Sequence, residues 1–113
     1  MTPLEAADEM RELSGLLNAA LEYLKSQTRE YADAEDGYRM AKATAYLAAD
    51  GPVEERKMIA DSKTSKERRR ALLADGMRQA ALEAVRSRRG QISALQSLLN
   101  AYKAEAEFAR TAP

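Results

Sequence analysis

Between Pro3 and Pro52 the chain has no proline, and across that interval its apolar residues return every seventh position. Met10, Leu17, Leu24, Tyr31, Tyr38 and Ala45 make one row. Leu13, Ala20, Gln27, Ala34, Ala41 and Ala48 make a second, three residues further on. Two such rows sustained over roughly six repeats describe a helix laid against another helix. They are incompatible with a strand, whose side chains alternate with a period of two. The second row is mostly alanine, so a partner helix can approach closely. Thr2, Pro3 and Glu5 mark the start, a T-x-x-E capping box with proline in the first helical position. Asp50-Gly51-Pro52 marks the stop, because glycine accepts the left-handed conformation and proline cannot continue the ladder. Gly15 and Gly37 each cost about 1 kcal/mol relative to alanine and read as weak points or sites of close contact.

Val53–Asp61 reads as a short connector helix and Ser62-Lys63 as a brief break. Thr64-Ser65-Lys66-Glu67 is a second T-x-x-E box. From it a second proline-free helix runs to Arg110, roughly 46 residues or ~70 Å. Its seam is Ala74, Ala81, Val85, Arg88, Ile92, Leu95, Leu99, Tyr102, Ala106 and Ala109, with Gly76 and Gly90 again interior. The final Thr111-Ala112-Pro113 is expected to fray. The chain thus reads as one all-α domain over 1–113, with helices at about 3–49, 53–61 and 65–110. Two long helices joined by a short connector most simply fold back as an antiparallel hairpin. Such a hairpin is thin, and Leu16, Leu21, Leu72, Leu98 and Phe108 fall off its seams. Self-association into a homo-oligomer would cover them.

Several functional classes are disfavoured. The chain has no cysteine and no histidine, which removes the thiol nucleophile, the thiolate metal site and the commonest general base. No phosphate-cradling glycine pattern occurs. Asp33, Glu35 and Asp36, and Glu105 with Glu107, are the only acid–base candidates, and they read as solvated helix face. A non-enzymatic protein without metal or cofactor is expected. The opening M-T-P-L-E lacks the basic and apolar regions of a secretory signal, and no run approaches ~18 apolar residues. These features suggest a cytoplasmic protein with no membrane partner.

Net charge is zero, but the charges are segregated. Residues 1–55 hold 5 basic against 12 acidic side chains, residues 56–89 hold 11 against 4, and the remainder 2 against 2. Either the basic part meets an anionic ligand or opposite ends pair between subunits. At ~100° per residue, Arg68, Arg78, Arg86 and Arg89 fall on one flank of the second long helix, spaced to follow a phosphate backbone. The plainer reading is an ordinary solvated face. Arg70 and Arg88 fall near the seam, with stems lying along it or paired to an acid such as Glu30. Tyr31, Tyr38 and Tyr102 are seam residues, leaving Tyr23 and Tyr46 as weak base-stacking candidates.

The run A-L-E-A-V-R-S-R (Ala81–Arg88), with Ile92 soon after, resembles the C-terminal helix of the phage recombination mediators of the UvsY family. Ala41-Lys42-Ala43, ahead of Tyr46 and Gly51, is similar to the basic L-K-A-R segment before that family's glycine-containing loop. Glu55-Arg56-Lys57 falls where the family has an acid followed by lysine at the entry to its connector. The resemblance covers about residues 28–110, with Thr44 standing where the family has arginine, so that Lys42 alone carries over from that pair. It implies a helical homo-oligomer, ring-like in the family, that binds single-stranded DNA and helps load a RecA-type recombinase onto strands coated by single-strand-binding protein. Lys42, Lys57, Arg68, Arg78, Arg86 and Arg89 are the nucleic-acid-binding residues expected on this reading. The alternative is a coiled-coil adaptor, scaffold or virion component with no nucleic-acid role, in which acidic and basic segments pair between subunits.

Overall fold

The computed structural model describes residues 1–112. Among them the regular structure is entirely α-helical: α1 (Pro3–Ala48), α2 (Val53–Lys63) and α3 (Ser65–Thr111). The chain divides into two compact units, one made of Met1–Tyr23 with the chain from Leu82 onward, the other of Leu24–Ala81.

In the first unit the opening capping box forms as the sequence predicts. The Glu5 amide donates to Thr2 Oγ1 at 3.2 Å and the Thr2 amide to Glu5 Oε2 at 3.3 Å. Two of the otherwise orphaned donors of a helix start are thereby satisfied. Ala6, Leu13 and Val85 are the buried side chains of this unit. Leu17, Ile92, Leu95 and Leu99 are half-buried. The Tyr102 hydroxyl donates to the Met1 carbonyl. α3 continues through Thr111, whose hydroxyl donates to the Glu107 and Phe108 carbonyls at 3.2 Å, and Ala112 lies beyond the helix. Pro113 lies outside the described residues.

In the second unit the interior is made of small residues: Ala34, Ala49, Ala60, Ala71, Ala81 and Thr64. As α1 advances from Tyr31 through Lys42 to Tyr46, its partners step back from Arg78 through Asp61 to Arg56. The heptad rows of α1 are half-buried or buried from Met10 to Ala45. At the end of the row Ala49 is buried and Ala48 exposed. The Ala49 amide donates to Tyr46 O, a three-residue step that tightens the last turn and swings the next residue inward.

Three sequence expectations change at the α2–α3 junction and along α3. α2 runs through Lys63, so Ser62 and Lys63 are not a break; the interruption is Thr64 alone. Nor does Thr64 cap α3. Its hydroxyl donates back to Ala60 O at 2.7 Å, its amide also bonds Ala60 O, and its carbonyl receives the Arg68 amide. A threonine turned onto the carbonyl four residues back bends a helix instead of starting one. Glu67, freed from a capping role, keeps Oε2 buried without a hydrogen-bond partner. The α3 seam also differs. Ala71 is buried and Arg78 half-buried, because both lie on the row that continues, seven by seven, to Val85, Ile92 and Leu99. Arg70 is exposed, and Ala106 and Ala109 are exposed. Off the seams, Leu16, Leu72 and Phe108 stand exposed, while Leu21 and Leu98 are half-buried.

Gly51 turns the chain out of α1 with φ of 110°, and a Cβ added there would meet Glu55 Oε2 at 2.8 Å. Gly37, inside α1, has nothing within 4 Å of an added Cβ. Gly51→Ala is therefore expected to lower unfolding free energy by about 1–3 kcal/mol. Gly37→Ala is expected to raise it by about 0.5–1 kcal/mol. Urea unfolding followed by far-UV circular dichroism measures both, and equal effects of the two substitutions would contradict the geometry.

Candidate nucleic-acid interface

A concave surface lies in the second unit, where the end of α1 meets α2. The turn at Gly51 brings Arg56, on the first turn of α2, back over the end of α1. Its guanidinium donates to Tyr46 O at 3.2 Å and stacks on the Tyr46 ring at 4.5 Å. The carbonyl already takes the Ala49 amide at 3.3 Å, so the cation adds a second donor there and opposes the negative end of the helix dipole. Tyr46 is therefore a structural platform for Arg56, not a free surface for a base. Tyr23, about half exposed, remains open.

Beside this clamp a groove of about 550 Å³ opens, lined by Arg39, Lys42, Ala43, Tyr46, Leu47, Lys57 and Asp61. The α1 members are spaced i, i+3, i+4, i+7 and i+8, one helix face, while Lys57 and Asp61 are one turn apart on α2. Carbon dominates the walls: the Tyr46 ring, Ala43, Leu47 and the lysine and arginine stems. The charged ends sit at the rim, each more than two-fifths exposed. Lys42 and Lys57, both expected from the sequence, are brought together here. Arg39, Leu47 and Asp61 were not anticipated, although the i, i+3, i+4 spacing of basic and apolar residues on α1 carried the signal.

Each groove cation has an acid. Lys42 Nζ lies 3.1 Å from Asp61, Arg39 Nε 3.0 Å from Glu35, and Lys57 Nζ 3.5 Å from Glu54. The hydrogen bond from Lys42 to Asp61, the charge of that carboxylate, and a smaller contribution from Tyr38 raise the Lys42 pKa above its ordinary 10.5.

The other expected site residues are placed differently from one another. Arg78 points inward, bonded to Asp75 at 2.7 Å with its guanidinium 5.2 Å from the Tyr31 ring centroid. The anticipated phosphate flank therefore loses this member to the packing. Arg68 is exposed beside Leu72 and Asp75. Arg86 is exposed and paired with Glu83 at 2.7 Å. Arg89 is exposed. Among the described residues Arg68 and Arg89 make no ion pair. Arg88 is half-buried and its guanidinium donates to Gln91 at 3.2 Å. Lys42, Lys57, Arg68 and Arg78 belong to one unit, Arg86 and Arg89 to the other. No group of three or more metal-ligating side chains gathers among the described residues, and no described helix is long and apolar enough to cross a membrane.

Family models, curated proteins and solved structures return no match to the chain.

Two outcomes follow from the clamp and the rim. Arg56→Ala removes a part-buried charged hydrogen bond and a stacked ring partner, an expected loss of about 1.5–3 kcal/mol in urea unfolding. Arg56→Lys should not restore it, because an ammonium lacks the planar fork. For Lys42 the folded pKa is raised, so its contact contributes fully below 10.5 and is lost as pH rises through the higher folded value. NMR titration of the lysine side chains should place the Lys42 midpoint above 10.5 and return it toward 10.5 in Asp61→Asn. An unchanged midpoint in that variant contradicts the pairing.

Proposed function

We propose that the chain is a non-catalytic single-stranded DNA-binding protein acting as a recombination mediator of phage or prophage type. In this reading it is an antiparallel helical hairpin that assembles into a homo-oligomer. It helps load a RecA-like recombinase onto strands covered by single-strand-binding protein. The observation that carries the DNA-binding part is the concentration of cations between Arg56 and Arg89, 11 against 4 acids, with Arg68 and Arg89 exposed and free of ion pairs among the described residues. A phosphate backbone needs such donors, and arginine's planar fork matches phosphate oxygens. The exposed Lys57–Glu54 and Arg86–Glu83 pairs do not oppose this reading, since such pairs contribute about 0–1 kcal/mol and yield to a polyanion. Arg78, stacked and half-buried, stays with Asp75 and acts by holding α3 against α1. The mediator role and its protein partners rest on the likeness of Ala81–Arg88 and Ala41–Ala43 to the UvsY family.

A scaffold or adaptor without nucleic-acid binding is the second reading. Four of the six candidate cations already face an acid, which favours it.

Gel-shift titration of a single-stranded oligonucleotide at two salt concentrations separates the two. Engagement of about four phosphates predicts roughly 50-fold weaker binding at about 200 mM salt than at about 50 mM. Arg86→Ala/Arg89→Ala should weaken binding at the lower salt by at least about fivefold, with helicity unchanged. No shift at low salt, with self-association intact, leaves the scaffold.

A further inference from the structure

A run of unpaired positive charge stands where α2 passes into α3. Residues 62–73 hold five cations, Lys63, Lys66, Arg68, Arg69 and Arg70, against one acid, Glu67. All five are exposed, and none enters an ion pair or a ring contact among the described residues. Glu67 is half-buried, with Oε2 enclosed. The flanking acids are occupied, Asp61 by Lys42 and Asp75 by Arg78 and Gln79. The exposed charge of this stretch is therefore positive throughout, unlike the groove cations and Arg86, each of which faces an acid.

Within α3, Lys66, Arg69, Arg70, Leu73 and Met77 are spaced i, i+3, i+4, i+7 and i+11, which places them on one face. Leu73 is 66% exposed and Met77 49%. Ala71 and Arg78, which pack inward, fall ~140–160° from Leu73, so the face looks to solvent. It is about 17 Å long, with three cations in its first half and two apolar side chains in its second. The next acid on this side, Glu83, lies about 15 Å beyond Leu73 and is paired with Arg86.

Such a surface fits a polyanion that also carries uncovered apolar area. A duplex offers phosphates on its outside and keeps its bases stacked, reached only through the grooves. A single strand offers a phosphate and, beside it, a base with a free face. A bilayer fits poorly. Lys66 and Arg70 fall within ~20–60° of Leu73, so a helix lying flat would press their charges into the acyl boundary together with Leu73 and Met77. We propose that the Lys66–Met77 face of α3 is a single-strand contact, in which Lys66, Arg69 and Arg70 hold phosphates while unstacked bases lie on Leu73 and Met77. This rests on the DNA-binding part of the proposed function and adds the residues that select a single strand over a duplex.

All five side chains are exposed, so replacing them leaves the fold in place, which circular dichroism checks. Fluorescence anisotropy of a labelled oligonucleotide is followed on the full chain over a series of salt concentrations. Lys66→Ala/Arg69→Ala/Arg70→Ala should weaken binding at least about tenfold at about 50 mM salt. It should also flatten the log–log salt slope by about 2, for three phosphates at about 0.7 each. Lys25→Ala/Arg29→Ala/Lys103→Ala removes the same charge elsewhere and should leave that slope unchanged. Leu73→Gln/Met77→Gln should weaken single-strand binding about threefold or more, with the slope and the affinity for a duplex of the same sequence unchanged. An unaltered slope in the first triple variant overturns the proposal, as does an equal loss in the second, or a duplex affinity that falls in step in the Leu73/Met77 variant. Tighter binding to phosphatidylserine vesicles than to the oligonucleotide also overturns it. So does loss of self-association in the first triple variant with oligonucleotide binding retained, which assigns the face to a second copy. A wild type that binds no oligonucleotide sinks the DNA-binding reading along with this one, whereas wild-type binding matched by the first triple variant sinks this one alone.

Discussion

The buried positions of this protein are filled by alanine more than by any other residue. Ala6, Ala34, Ala49, Ala60, Ala71 and Ala81 lie inside, joined by Leu13 and Val85, and Val85 is the largest side chain fully enclosed. Alanine forms helix better than any other residue, so the same choice that lets helices approach also favours each helix locally. What it does not supply is apolar area, since a methyl group removes little surface from water. The burden falls on the half-buried tyrosines and leucines at the rows' edges and on side-chain clamps such as Arg56 on Tyr46 and Arg78 on Tyr31. Large apolar side chains, among them Leu72, Leu73, Met77 and Phe108, are left outside. A partner that covered these side chains and bound the folded form would add to its stability.

Charge follows a different logic at short and long range. Over the sequence the acids and bases are segregated, yet in the folded chain most candidate cations have found an acid three or four residues away, or, for Lys42, on the neighbouring helix. Helix geometry makes such pairs almost unavoidable wherever opposite charges recur at that spacing. The exposed ones among them are weak, which leaves their cations available to a denser array of negative charge. Arg68 and Arg89 have no such partner among the described residues, and on the proposed DNA-binding reading they would be the most direct contacts for an anion.

The seams of α1 were legible because a seven-residue repeat reports an inward face whatever the partner. The same arithmetic, carried one row further, would have moved Arg78 inward, since it sits seven residues from both Ala71 and Val85. Its charge masked its position. Thr64 was misread for a related reason: T-x-x-E specifies side chains able to cap, but whether the threonine hydroxyl turns forward to Glu67 or back to Ala60 depends on whether the chain before it is already helical. The groove was half legible. Lys42 and Lys57 were identified singly, while their convergence depends on the turn at Gly51, which sets where α2 lies against α1 and is not encoded in the spacing of either helix.

That turn also bears on the order in which the chain finds its shape. The clamp joins Arg56 to Tyr46, ten residues apart, whereas the Tyr102 hydroxyl must reach a carbonyl 101 residues distant. Closing a ten-residue loop takes about 10–100 ns, and the entropy cost grows with the length enclosed. Of the two closures the bend is the cheaper in chain entropy, and the pairing of Met1 with Tyr102 the costlier.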